Sequence, residues 1–290
     1  MTSMCIGIIG GSGVYDIDGL TNARWIKVES TFGSPSDDLL FGELDGQQLI
    51  FLPRHGRGHK LSPSEINYRA NIDALKKSGV TELISVSAVG SLKEELTPGT
   101  FVIIDQFIDR TFARNKSFFS DGCVAHVSMA HPVCRRLGDH LMQGALKSNV
   151  RVVRNGTYLV MEGPQFSTFA ESNLYRSWGC DVIGMTNMPE AKLAREAEIC
   201  YASVAMVTDY DCWHPDHDSV TVDQIIKVLL ANAGNAKALV KNSLHSLASD
   251  KSASQCACKK SLDNAIITSI DSMSETAMKR LSSVALRVLK

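Results

Sequence analysis

Leu83-Ile84-Ser85-Val86-Ser87-Ala88-Val89-Gly90-Ser91-Leu92 opens as an apolar, partly β-branched run of strand length and then spills into small residues. So short a run, bounded by glycine, reads as a buried strand, and its exit leaves a hydroxyl and backbone N–H groups at the strand's end. Similar runs recur at 5–9, 49–52, 100–104, 158–161, 182–185 and 201–207. Polar segments with helical periodicity, at 63–78, 167–179, 189–197 and 222–246, lie between some of them. The pattern predicts an α/β fold, a single domain with a central mixed β-sheet flanked by helices.

Two helix starts carry their own chemistry. Ser62 precedes Pro63 with Glu65 three residues on, a capping-box spacing with proline at the first helical position. Thr221 precedes the apolar stripe Val222, Ile225, Ile226, Leu229 and Leu230. The chain turns polar over 249–261, resumes at 262–270, and ends in a stretch, 273–290, whose Met278, Leu281, Ala285 and Val288 share one helical face. We expect one domain over 1–248 and an extension over 249–290 that packs on that domain or on a neighbouring subunit.

The 290 residues are 44% hydrophobic, enough to bury a sizeable core. With 30 basic and 31 acidic residues the formal charge is −1, so no large field favours nucleic acid or an anionic membrane, and an anionic ligand must be caught locally. The N-terminus has no basic flank, and no apolar run approaches the roughly eighteen residues of a membrane span. A cytoplasmic protein is expected. Cys5, Cys123, Cys134, Cys180, Cys200, Cys212, Cys256 and Cys258 look too scattered for a zinc site and read as reduced core thiols. The pair Cys256 and Cys258, in a polar stretch, has the spacing of a strained, reducible disulfide.

Several strand ends carry anion donors. Gly10-Gly11-Ser12-Gly13 follows the first strand; it has Asp16 where a dinucleotide fingerprint needs its last glycine, and it lacks the Lys of a triphosphate loop. By itself it is equally a structural turn. Pro53-Arg54-His55-Gly56-Arg57-Gly58-His59 gathers two arginines and two histidines past an apolar run. Arg54 offers a fork that matches a tetrahedral oxyanion and His55 a donor that titrates near neutrality, against the plainer reading of a solvated basic loop. Ser87 and the residues after it form the third such exit. Glu162-Gly163-Pro164-Gln165-Phe166-Ser167 and Thr208-Asp209-Tyr210-Asp211-Cys212-Trp213 also follow strands. Asp209 and Asp211, at the mouth of an apolar strand, are costly without partners: they are functional carboxylates, or else caps and salt bridges. A calcium loop would need further spaced oxygen ligands that do not follow.

In order and spacing these motifs, with Val-Ile-Ile-Asp-Gln-Phe-Ile-Asp-Arg-Thr at 102–111, resemble the purine nucleoside phosphorylases of the methylthioadenosine type over about 4–245. The tail with Cys256 and Cys258 resembles only some members, notably from thermophiles. The resemblance implies a phosphorylase/hydrolase-like fold and a nucleoside phosphorylase domain over 1–248. It implies phosphorolysis of 5'-methylthioadenosine to adenine and 5-methylthioribose 1-phosphate, in purine and methionine salvage, with phosphate as co-substrate and no metal or other cofactor. Phosphate is then held by Ser12, Arg54, His55, Ser87, Ala88 and Thr186. Met185 lies against the ribose, Phe166 flanks sugar and base, and Ser167, Asp209 and Asp211 serve catalysis at the base. Val222, Ile225, Ile226 and His59 complete the nucleoside pocket, and His126 comes from a neighbouring subunit of a homotrimer or, with the tail's help, a hexamer. Ser12 stands for the family's threonine, and Gly184 replaces a polar residue beside Met185.

The mechanism so implied is displacement at the anomeric carbon through an oxocarbenium-like state, the purine leaving as N7 receives a proton or hydrogen bond. A buried carboxyl can donate to N7 while a carboxylate accepts from a 6-amino group. A rival specificity for 6-oxopurine nucleosides would suit asparagine at 209 and histidine at 222. A more distant rival is a non-catalytic nucleoside-binding protein. Free adenine released only with phosphate separates these readings.

Overall fold

The computed structural model describes residues 4–11, 17–215 and 222–289 and, within 222–227, the side chain of Ile226 alone. Its centre is the stretch quoted above. β5 (Glu82–Ser91) pairs in parallel with β1 (Ile6–Gly10) on one side and with β9 (Cys200–Asp209) on the other. β1 continues in parallel to β4 (Gln47–Pro53), then antiparallel to β3 (Leu39–Leu44) and β2 (Thr21–Ile26). At its end β5 also meets β8 (Val182–Gly184) antiparallel, and β8 leads through β7 (Val152–Met161) and β6 (Phe101–Arg110) to β9. The central mixed sheet is therefore present, and five of its strands close into a ring: β5, β8, β7, β6 and β9. Register shifts at Val89/Gly90 and between Ile103 and Gln106 supply local bends that such closure needs.

Helices cover both faces. α1 (Tyr68–Lys77) and α4 (Asn187–Glu196) bury Ile72, Leu75, Ala191 and Leu193 in one core with Ile50, Val102 and Val160. α2 (Arg135–Lys147) and α5 (Val222–Ala248) bury Leu137, Leu141, Leu239 and Leu244 in the other with Ile8, Ile84 and Val204. These two helices cross closely at Gly144, where a Cβ would stand 2.0 Å from Ser243 Oγ. α3 (Phe169–Ser177) starts on a full capping box between Thr168 and Glu171.

Local expectations fail at identifiable places. The helix expected from Pro63 begins only at Tyr68: Ser62 N–H does donate to Glu65 Oε2 (2.9 Å), but this closes a separate turn, and Asn67 caps the helix by accepting from Ala70 N–H. β2, β3 and α2 went unpredicted. In the tail, α6 covers only Glu275–Leu281, after which the chain continues in turns with Leu281 and Ala285 still buried in the first core. Arg287 there pairs with Glu198 and Asp263. The cysteines correct the sequence reading most. The fold brings Cys134, Cys200, Cys256 and Cys258 together, their sulfurs all within 4.8 Å of one another. Among the described residues no helix is long and apolar enough to cross a membrane.

Candidate active site

Strand register puts the chemistry at one end of the sheet. Gly10 is level with Pro53 and Ile9 with Ser85, so β1 and β4 end together beside the middle of β5, and Gly90 is level with Asp209, so β5 and β9 end together further along the same direction. β8 runs against β5 with Ile183 opposite Gly90, which carries Met185 and Thr186 back toward Ser87 and Ala88. Ser12 lies outside the described residues.

Two hydroxyls in this group are buried without hydrogen-bond partners among the described residues: Ser87 Oγ and Tyr158 Oη. The Tyr158 ring rises from β7 toward Gly184, where a Cβ would stand 2.1 Å from its oxygen. The missing side chain at 184 is what admits the tyrosine. Burial raises the Tyr158 pKa, and the nearby Ser87 and Thr186 hydroxyls and the Arg54 charge oppose that rise. Nothing in the sequence marked Tyr158, since a tyrosine in an apolar strand reads as core.

Arg54 departs from its expected role as a free fork. Its guanidinium is 1% exposed and faces inward: Nε and Nη2 donate to Glu190 (2.9 and 3.2 Å), Nη2 also to Ser85 Oγ (2.7 Å) and Ile9 O, and Nη1 to Val86 O (3.0 Å). One Nη1 hydrogen is left over among the described residues. The network continues through Tyr201, whose hydroxyl donates to Glu190 (2.9 Å) and accepts from Asn187. Arg54 thus braces β1, β5 and α4 behind the strand ends. His55 holds Leu61 O through Nδ1 (2.8 Å) and stacks on the exposed His59 at 4.1 Å. A carbonyl only accepts, so Nδ1 carries the hydrogen and Nε2 presents a lone pair. Burial lowers the ring's pKa to about 4.

At the neighbouring exit, Thr208 Oγ1 donates to Asp209 Oδ2 (2.7 Å) and Asp211 N–H to Asp209 Oδ1 (2.8 Å). Asp211 takes a left-handed backbone, φ 54°, and its Oδ2 is buried without a hydrogen bond. Burial raises both carboxyl pKa values; Asp211 adds to the rise at Asp209, and the Ser172 and Ser167 hydroxyls oppose it at Asp211. Gly90 makes room for the pair, because a Cβ there would stand 2.9 Å from Asp209 Oδ1. The loop after β7 joins through Cys212, whose thiol reaches Ser167 O (3.4 Å). Phe166 on that loop is exposed, and Met185 packs its sulfur where Gly163 has no side chain.

Arg114, which the sequence did not single out, ties the surrounding loops together. Its Nη1 donates to Met185 O (2.6 Å), Met188 O (2.7 Å) and Tyr68 Oη (3.1 Å), while Nε and Nη2 hold Glu162. Burial would raise the Glu162 pKa, but hydrogen bonds from Ser64, Phe112 and Ala113 and the Arg114 charge bring it below its ordinary value. Among the described residues His126 does not join the group by hydrogen bonding: it is exposed, and its N–H goes to Ala265 O (2.9 Å). The side chains of Val222 and Ile225 lie outside the described residues, and Ile226 is 45% exposed.

The family model of the phosphorylase superfamily matches residues 5–245. The chain is 64% identical over 284 residues to the S-methyl-5'-thioadenosine phosphorylase of Rhodospirillum rubrum, covering 98% of this chain and 97% of that one. It is 57% identical to the protein of the same name from Bradyrhizobium diazoefficiens over the whole of both chains. Among solved structures, a methylthioadenosine phosphorylase from an antarctic soil metagenomic library superposes with a TM-score of 0.93 at 48% identity, covering 98% of this chain and 99% of that one. The methylthioadenosine phosphorylase of Schistosoma mansoni in complex with adenine superposes at 0.83 and 34% identity, over 89% of this chain and 97% of that one.

Proposed function

The chain belongs to the phosphorylase superfamily, and from that premise we propose that it cleaves 5'-methylthioadenosine with inorganic phosphate, releasing adenine and 5-methylthioribose 1-phosphate. One observation carries the reading: buried hydroxyls without partners among the described residues stand on β5 and β7 (Ser87, Tyr158), and two buried carboxyls with raised pKa values stand at the end of β9 (Asp209, Asp211). Buried polar atoms without partners are uncommon in folded proteins, and a bound anion would satisfy the two hydroxyls.

Phosphate lies among Ser12, His55, Ser87, Ala88, Thr186 and Tyr158, with Arg54 supporting them from behind. His55 Nε2, a lone pair at neutral pH, accepts a hydrogen that phosphate still carries. Met185 lies under the ribose, and Phe166 and Ser167 border the base. Burial raises both carboxyl pKa values, so one of the pair can hold a proton for N7 while the other accepts from the 6-amino group. Phosphate then attacks the anomeric carbon as the N-glycosidic bond breaks, and the bonding electrons leave with adenine. No metal or other cofactor enters these steps. By the resemblance Val222, Ile225, Ile226 and His59 complete the nucleoside pocket, His126 is lent by a neighbour in a homotrimer or hexamer, and the reaction serves purine and methionine salvage in the cytoplasm. Aspartate at 209 argues against a 6-oxopurine substrate.

Incubation with 5'-methylthioadenosine, with and without phosphate, tests the reading. Adenine is expected only with phosphate, one phosphate consumed per base. Adenine without phosphate, or faster cleavage of inosine, overturns it.

A further inference from the structure

Cys134 stands at the start of α2, Cys200 opens β9, and in the tail Cys256 caps the short 3-10 turn Ala257–Lys260 that contains Cys258. Three separate parts of the chain thus converge on one point. Backbone bonds fix the first two parts, since Cys134 N–H donates to Tyr201 O (2.7 Å) and Cys200 N–H to Thr81 O (3.0 Å). Lys259 N–H to Cys256 O (3.0 Å) closes the turn that carries the other two.

The spacing of the sulfurs is informative. All four lie within 4.8 Å of one another, and Cys134 and Cys256 are 3.6 Å apart, whereas a disulfide brings sulfurs to about 2 Å. Four thiolates at about 2.3 Å around a tetrahedral ion stand about 3.8 Å from each other. Cys134, Cys200 and Cys258 are buried, Cys256 is half-buried, and all four are free thiols. The charge environment agrees: Arg195 Nη1 lies 3.5 Å from Cys258 Sγ, and Arg136 lies against Cys200 and Cys134. Arg136 is itself held by Asp250 (2.8 Å) and Glu82 (2.9 Å). Four thiolates around a dication carry a net charge of −2, which the adjoining Arg195 guanidinium offsets in part.

We propose that Cys134, Cys200, Cys256 and Cys258 bind one zinc-class dication in a closed tetrathiolate site that fastens the C-terminal segment to α2 and β9. Such a site has no open coordination position, so its task is structural and independent of the phosphorolysis proposed above. Binding releases the thiol protons, and the ion's affinity for the folded site adds to the stability of the attachment.

The test uses the full-length protein purified under reducing conditions without chelator. We expect one zinc per chain by elemental mass spectrometry and, after exchange into cobalt(II), the intense visible bands of a tetrahedral cobalt thiolate. Cys256→Ser, at the least buried ligand, should lose the bound metal and the cobalt spectrum, whereas Cys180→Ser, remote in sequence and outside the cluster, should keep both. The wild-type cobalt spectrum decides even if a variant fails to fold. Two results overturn the proposal: substoichiometric metal with four alkylatable thiols and no cobalt thiolate bands, or recovery of the cysteines as disulfides in protein kept reduced.

Discussion

Asp209 combines a raised pKa, two hydrogen bonds from its own loop, and a neighbouring carboxyl with an unpartnered oxygen. Asp209→Asn keeps the shape but removes the acid, and its amide can donate to a 6-oxo group. The specificity constant for 5'-methylthioadenosine should fall roughly a hundredfold or more, while that for 5'-methylthioinosine falls less or rises. An unchanged ratio would mean that Asp209 does not touch the base edge. Tyr158→Phe isolates the other unusual group. If its hydroxyl donates to phosphate, the variant loses a charge-assisted bond of about 1.5–3 kcal/mol, so KM for phosphate should rise about tenfold or more. KM for the nucleoside should change little, and an unaltered phosphate KM would leave Tyr158 a packing residue. The contrast between these two residues shows what a sequence makes legible. Asp209 stands out because a carboxylate at the exit of an apolar strand has no cheap explanation. Tyr158 does not, because its meaning depends on an absent side chain at Gly184, across the pairing of β7 with β8.

The strands with continuous apolar runs were legible because each is buried on both faces. β2 was not, since Thr21–Ile26 is largely exposed and has little hydrophobic pattern, and Gly138 and Gly144 interrupt α2 where close packing demands them. The brace of α4 against β4 and β5 was equally hidden, because Arg54 and Glu190 meet across 136 residues of chain. This pair changes what substitution at Arg54 should do. Arg54→Met leaves Glu190 buried without its counter-ion, a loss of about 3–5 kcal/mol, and Arg54→Met with Glu190→Leu should recover a large part of it. Urea unfolding of the singles and the double checks this. A variant with normal stability and only weakened phosphate use would instead make Arg54 a direct anion clamp.

At the scale of the whole molecule, an apolar face adjoins the candidate site. Phe112, just past β6, is 82% exposed, and Phe169 (63%), Leu174 and Trp178 are exposed along and just past α3. Glu162, on the loop that carries Phe166, accepts from Phe112 N–H (2.6 Å), so this face and the nucleoside loop are mechanically joined. We expect it to be the contact through which copies assemble and lend His126. If the wild type sediments as an assembly, Phe169→Asp should shift it toward monomer and lower kcat/KM together, and a variant that keeps the assembly would place the contact elsewhere. The ring of strands bears on assembly of an unwanted kind. With β9 turned back onto β5, the strand order of the sheet among the described residues begins at one end strand, β2. That strand is short, is interrupted by a bulge between Thr21 and Arg24, and carries the exposed charge of Arg24. Fibre growth by strand addition to that end strand has a poor template to begin from.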